Sequence, residues 1–303
     1  MQCKKANLEG LTSLLLAIET KASLEEPSGL QERIEVLDQL EAYLLPLSLP
    51  EFDPGCPDAA VYKRARAIQT KLEAANYEVY SSLRRDIQRG RGRESLLRWL
   101  PDLGQVNALR LDHEGYDYLD EVIIGVLQFE EPEATAVPPT DEMVFYQPTP
   151  ARHVLDLLER IALTKEDVLV DIGSGLGHVP MLASIWTNAR SIGIELEPAY
   201  VVCARKATES LNLRRVTFIQ QDAQTADYGS GTVFYLYTPF TGSMLRTTLN
   251  LLRQEAATRT IRICTFGPCT SVIEAEAWLD AVVPARHDRI SIFRSKCPLP
   301  SFR

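Results

Sequence analysis

In the stretch VLVDIGSGLGHVP, Val168 to Pro180, three glycines stand at alternate positions just after an acid: Asp171, then Gly173, Ser174, Gly175 and Gly177. Bare backbone at such a place admits a ligand that a side chain would keep away. A dinucleotide, a nucleotide phosphate and S-adenosylmethionine all suit a loop of this kind. A phosphate loop ends in Gly-Lys-Ser/Thr, whereas Gly177 is followed by His178 and Val179, which removes that reading. The dinucleotide fingerprint runs G-x-G-x-x-G, and here the third glycine comes one residue early. Further along, Glu195 closes GIE, where a carboxylate can accept two hydrogen bonds from a ribose diol. Asp222, in IQQDAQ, can accept from an adenine amino group. Then comes a proline-aromatic loop, YTPF, Tyr237 to Phe240. Glycine loop, acid, acid and proline-aromatic loop, in that order, form a more specific set than the glycines alone.

These residues need elements that bring them to one edge, and the second half of the chain supplies such a pattern. ARHVLDLLERI reads as an amphipathic helix with Val154, Leu157, Leu158 and Ile161 on one face. Thr149 is placed to cap it, Pro150 suits its first position, and His153 falls on its polar side. DVLVDI, RSIGIEL, RVTFIQQD, GTVFYLYTPF and RTIRICTFG read as strands, separated by helices over HVPMLASIWTN, PAYVVCARKATESLNL and GSMLRTTLNLLRQEAA. The terminal AWLDAVVPARHDRISIFRSK offers two more strands. Continuously apolar strands alternating with helices predict a doubly wound α/β sheet, with each candidate ligand residue at a strand's carboxyl end.

The first half reads as helical. NLEGLTSLLLAIETKA carries Leu8, Leu11, Leu14, Leu15 and Ile18 at helical spacing. The next helix opens on Ser28 and Gln31 in a capping-box relation and keeps Leu30, Ile34, Leu37, Leu40 and Leu44 on one stripe, up to Pro46 and Pro50. A long helix follows over about 58–88, stopped by Gly90 and Gly92, then another over YDYLDEVIIGVLQF. The expected organisation is a separate all-helical domain over 1–129, an acidic, proline-bearing linker over 130–142, and an α/β domain over 143–303.

The net charge of −9 sits wholly in residues 1–140, which hold 24 acids against 15 bases; the remainder balances at 17 against 17. Such a charge disfavours nucleic acid as a partner. The exception is RRDIQRGRGRESLLRW, where six arginines crowd a stretch read as a solvated helix end and turn. No apolar run is long enough to span a membrane, and the start MQCKKANLEG lacks a signal-peptide core. Six scattered cysteines form no C-x-x-C pair, so no metal site is indicated and thiols in a reducing compartment are expected; the chain reads as cytoplasmic.

With these motifs in place, the region from Phe145 to Ile292 resembles the class I S-adenosylmethionine-dependent methyltransferases: VDIGSGLG resembles their first motif, GIELEP the ribose acid, QQDA the adenine acid and YTPF a variant of their fourth motif. FYQPTPARHVLDLL resembles the entry loop of bacterial and mitochondrial protein-lysine methyltransferases, and DIGSGLGHV with GIEL is similar to the non-SET histone-lysine type. The resemblance implies a Rossmann-like seven-stranded sheet ending in a reversed hairpin, with S-adenosyl-L-methionine as cofactor. It also implies that Asp171, Gly173, Ser174, Gly175 and Gly177 line the methionine and ribose end, that Glu195 holds the ribose and Asp222 the adenine, and that Thr149 lies beside the cofactor. Tyr146, Tyr237 and Phe240 are the candidates for an apolar aromatic mouth facing the acceptor and the cationic sulfonium. Tyr-Thr-Pro-Phe departs from the Asp/Asn-Pro-Pro-Tyr/Phe of amino-group methylases acting on bases or glutamine, so the acceptor stays open. A protein side chain such as lysine comes first, a small molecule second and, because of the charge, RNA third. A cofactor-binding protein without catalysis, its helices recruiting a partner, is the alternative. His178 reads as a polar helix start, and Cys269 as a loop thiol with no identifiable base.

Overall fold

The computed structural model describes residues 2–45, 57–99, 115–130, 132 and 136–296. Cys56 and Cys297, the Pro46 and Pro50 breakers and part of the 130–142 segment lie outside them. The chain forms two compact units, residues 1–83 and 84–303.

In the first unit, α1 (Gln2–Glu19), α2 (Leu30–Leu44) and most of α3 (Pro57–Gln88) enclose Leu11, Leu15, Leu24, Val36, Leu40, Ala65 and Leu72. The Ser28–Gln31 capping box does not form. Residues 27–29 make a 3-10 turn instead, and α2 starts after Gly29 with no side-chain cap. Arg33 fills the gap: its buried guanidinium donates to Asn76 Oδ1 (2.6 Å) and to the carbonyls of Leu24 (3.2 Å) and Glu26 (2.6 Å).

The second unit adds α4 (Gly92–Trp99), where the sequence suggested only a helix end and turn, and α5 (Tyr118–Leu127), then α6 (Ala151–Ile161). Next come β1 (Val168–Ile172), α7 (His178–Thr187), β2 (Arg190–Glu195), α8 (Pro198–Ser210), β3 (Val216–Gln220), β4 (Val233–Tyr237), α9 (Gly242–Ala256) and β5 (Arg262–Phe266). A short α10 (Cys269–Glu274), β6 (Leu279–Ala281) and β7 (Ser291–Ser295) complete it. The seven strands run in the order β3-β2-β1-β4-β5-β7-β6. The first five are parallel, and β7 is antiparallel to both β5 and β6. This is the expected Rossmann-like sheet with its reversed hairpin. Its core joins Val170, Ile172, Ile194, Phe234, Leu236, Leu249, Leu252, Ile263 and Phe293. Strand order reverses between β1 and β4, so the ligand end lies beyond the carboxyl ends of β1, β2 and β4. No helix among the described residues is long and apolar enough to cross a membrane.

Candidate active site

β1 is buried along its whole length, and the chain leaves it through three glycines in the left-handed region, Gly173 (φ 76°), Gly175 (φ 52°) and Gly177 (φ 88°). Only glycine adopts such angles without strain, so the turn into α7 needs them. Each also makes room for a neighbour: a Cβ at Gly173 would overlap Pro239, at Gly175 the Tyr146 ring, and at Gly177 the Phe218 ring. The bareness expected to admit a ligand is thus used in part by protein side chains.

The loop is laced to β2. Gly173 and Ser174 donate their N–H groups to Ile194 O (2.9 and 3.0 Å), and Gly175 N–H donates to Glu195 Oε2 (2.8 Å). The other oxygen of Glu195 accepts from Glu197 N–H (2.8 Å). A third backbone N–H, that of Leu196, also bonds this carboxylate, which leaves one acceptor position for a ligand hydroxyl. Burial raises the Glu195 pKa despite these bonds. Asp171 is buried on β1 between Gly193 and Tyr235, and burial, with Glu195 close by, pushes it well above the usual carboxylate range. Asp222 stands two residues past β3, next to the Gln221 N–H that bonds Glu195 O (3.0 Å), and its carboxylate accepts from Gln224 N–H (2.8 Å). Ser174 Oγ is buried with no hydrogen-bond partner among the described residues. An orphaned hydroxyl beside bare loop backbone, with two carboxylates at successive strand ends, fits a polar nucleoside ligand.

The segment Glu142–Arg152 forms the facing wall. Tyr146 lies over Gly175, with its ring 5.0 Å from that of Tyr200 and its hydroxyl 3.3 Å from His178 Nδ1. Burial lowers the His178 pKa to about 4, and the Phe129 ring lies 4.6 Å from its own, tilted by 50°. Tyr237, at the end of β4, rests on Phe266 (4.8 Å) with its hydroxyl 3.5 Å from Gln147 Oε1. Tyr116 donates to Pro148 O (2.8 Å) at the same rim. Beside these residues opens a cavity of about 250 Å³ lined by Asp120, Glu121, Ile123, Ile124, Thr149, His178 and Leu182, with no lysine or arginine in its wall.

Several expectations change. Thr149 does not cap α6: its buried hydroxyl shares a hydrogen bond with Tyr235 OH (2.8 Å), and Asp120 Oδ1 accepts from Ala151 N–H (2.7 Å) instead. Phe240 lies in the core rather than at the mouth, 5% exposed: β4 ends at Tyr237, Thr238 turns the chain at φ 39°, Pro239 comes against Gly173, and Phe240 pairs with Met143. His153 is fully buried, 4.5 Å from the Phe266 ring. The Cys269 thiol is buried and its pKa raised, the opposite of what a nucleophile needs. Tyr116, Asp120 and Tyr200 were not singled out in the sequence. Asp117 and Asp120 do carry a helix-start signal, but nothing local points either at a site residue 30 positions away.

Residues 142–231 match the family model described as histone methylation protein DOT1. With this sheet order and these strand-end acids, that match decides the class. The second unit carries a class I S-adenosylmethionine-dependent methyltransferase domain. No curated protein matches the chain. Among solved structures, the methyltransferase domain is similar to an RNA methyltransferase from Salinibacter ruber in complex with S-adenosyl-L-homocysteine, at 27% identity over 51% of this chain and 97% of that one, TM-score 0.42. It is also similar to the putative methyltransferase yhhF from Escherichia coli, at 16% identity over 54% and 92%, TM-score 0.42. A methyltransferase supplied with S-adenosylmethionine takes an activated methyl group from it; the protein's part is to align an acceptor and keep out water.

Proposed function

We propose that this methyltransferase acts on a protein amine, a lysine side chain above all. The observation that carries the reading is the cavity beside His178: Tyr116 at its rim, aliphatic side chains inside, and two carboxylates with no lysine or arginine. Such a cavity admits a cation on an aliphatic stem and repels an anionic one. A lysine ammonium holds its proton up to a pH of about 10.4, and an apolar lining favours the neutral amine that can attack a methyl carbon. The description of the matching family, histone methylation, points the same way.

In this reading Glu195 holds the ribose hydroxyls and Asp222 the adenine. Asp171, Gly173, Ser174, Gly175 and Gly177 line the methionine and ribose end, and Thr149 sets the entry segment beside them. Tyr146 and Tyr237 guide the acceptor, while Phe240 supports the Pro239 turn from within the core. The domain proper is taken as 143–303, preceded by the 130–142 segment, with the 1–129 helices presenting or recruiting the acceptor.

The test is transfer of labelled methyl from S-adenosylmethionine into a cell extract by the full chain, followed by separation into protein, RNA and small molecules. Label in protein, recovered as methyl-lysine on hydrolysis, is the expected result. Label confined to RNA or to small molecules would overturn the acceptor and leave the reaction class standing.

A further inference from the structure

We infer that Asp120 is a positioning residue for the methyltransferase site: its carboxylate holds the start of α6, and with it the Tyr-Gln-Pro-Thr-Pro segment, against the glycine loop. The inference rests on the reading that Tyr146 and Thr149 border the cofactor. It adds α5, outside the stretch matched by the family model, to the machinery that shapes the site.

The first N–H groups of a helix need acceptors from elsewhere. Pro150, the cap of α6, has no side chain to offer, and the Thr149 hydroxyl is engaged by Tyr235. Asp120 supplies what is missing. It is 7% exposed, and its oxygens accept separately from Ala151 N–H and Asp117 N–H, each at 2.7 Å. Its neighbours repeat the pattern: the Tyr116 hydroxyl bonds Pro148 O, and Asp117 pairs with Arg152. Three residues at the start of α5 therefore meet Pro148, Ala151 and Arg152. On its other flank the segment is tied to β4 and the loop after it, through Thr149 to Tyr235 and through Val144 N–H to Pro239 O (3.2 Å). The Tyr146–Pro150 stretch is held from both sides, and Asp120 is the only buried carboxylate on the α5 side that bonds the α6 backbone among the described residues.

The charged and titratable groups around Asp120 are Glu121 on its own helix, Asp117 at that helix's cap, Tyr116 before it, Arg152 on α6, and His178 on α7. Burial pushes Asp120 up to about 6. Near that pH a proton on the carboxyl replaces an acceptor with a donor opposite one of its two N–H partners.

The experiment measures S-adenosylhomocysteine affinity by calorimetry, and melting temperature, at pH 7.5 and 5.5. It uses the full chain and Asp120→Asn, Asp120→Ala and Val122→Ala, the last a buried packing control on the same helix. Asp120→Ala should weaken binding roughly tenfold at pH 7.5, the effect of one lost charge-assisted hydrogen bond. Asp120→Asn keeps one carbonyl acceptor and should lose less. Wild-type affinity should fall between pH 7.5 and 5.5, and the Asp120→Asn variant should show a flatter profile. Val122→Ala should melt lower yet bind within about twofold when folded. Asp120 variants that melt lower but bind like wild type, or identical pH profiles for wild type and Asp120→Asn, would overturn the inference. Glu195→Ala, run alongside, separates the two failures. Undiminished binding by that variant sinks the site assignment, whereas its loss together with normal binding by the Asp120 variants sinks this proposal alone.

Discussion

At the residue scale, the site is a set of polar groups in an environment that resists charge. Glu195 and Asp171 both sit high because of burial, and His178 sits low for the same reason. His178 has a consequence that stability measurements can read. An unfolded histidine takes up a proton near pH 6.5, but the folded one resists until about 4. Folding is therefore undisturbed by this group above pH 6.5 and loses stability as pH falls toward 4, by on the order of 3 kcal/mol in all. Asp120 works in the opposite direction: its raised pKa makes its ionised form the costly one, so it favours the fold below pH 4 and loses that benefit as pH rises through about 6. The two partly cancel in the wild type. His178→Gln should remove only the first, so its melting temperature relative to wild type should climb as pH falls from 6.5 to 4. A difference that stays constant across that range would show that burial does not control this imidazole.

At the element scale, the entry segment explains both what could be read early and what could not. The apolar periodicity of α6 and the strand character of β1 to β5 are local, set by side chains three or four, or two, positions apart. Thr149 reads as the cap of α6, but Pro150 takes that position and the Thr149 hydroxyl bonds Tyr235 OH on β4. His153 fell on the polar face of an isolated α6, but in the folded unit Phe266 covers that face. Phe240 reads as the end of the fourth strand, but β4 stops at Tyr237, and after the left-handed turn at Thr238 the Phe240 ring lies in the core. The Thr149–Tyr235 bond is also measurable. In a double-mutant cycle of Thr149→Val with Tyr235→Phe, the coupling energy from denaturant unfolding should come to about 1 kcal/mol, as for a buried neutral pair. A coupling indistinguishable from zero would mean that the segment is held by its other ties alone.

For the whole molecule, the proposed site draws on several distant stretches at once: the β1–α7 loop, the ends of β2 and β3, the Glu142–Arg152 segment and the start of α5. Ligand binding should therefore protect all of them. In hydrogen exchange on the full chain, S-adenosylhomocysteine should slow the amides of Gly173–Gly177, of the Glu142–Arg152 segment and of the first turn of α5. Protection that stops at the glycine loop would argue that α5 is not coupled to the site.

By itself the sequence determined the class of fold and the order of its parts, because alternating apolar strands and amphipathic helices can bury their surfaces in few ways, and glycines at positive φ followed by acids at successive strand ends are local signals of a nucleoside-binding edge. Only the tertiary structure decided which side chains meet there. Tyr146 over Gly175, Asp120 on Ala151, His178 under Phe129 and Tyr116 on Pro148 join residues from about 30 to 50 positions apart. Hydrogen-bonding and packing partners at that separation are chosen by the folded arrangement of the helices around the sheet, and no spacing along the chain encodes them.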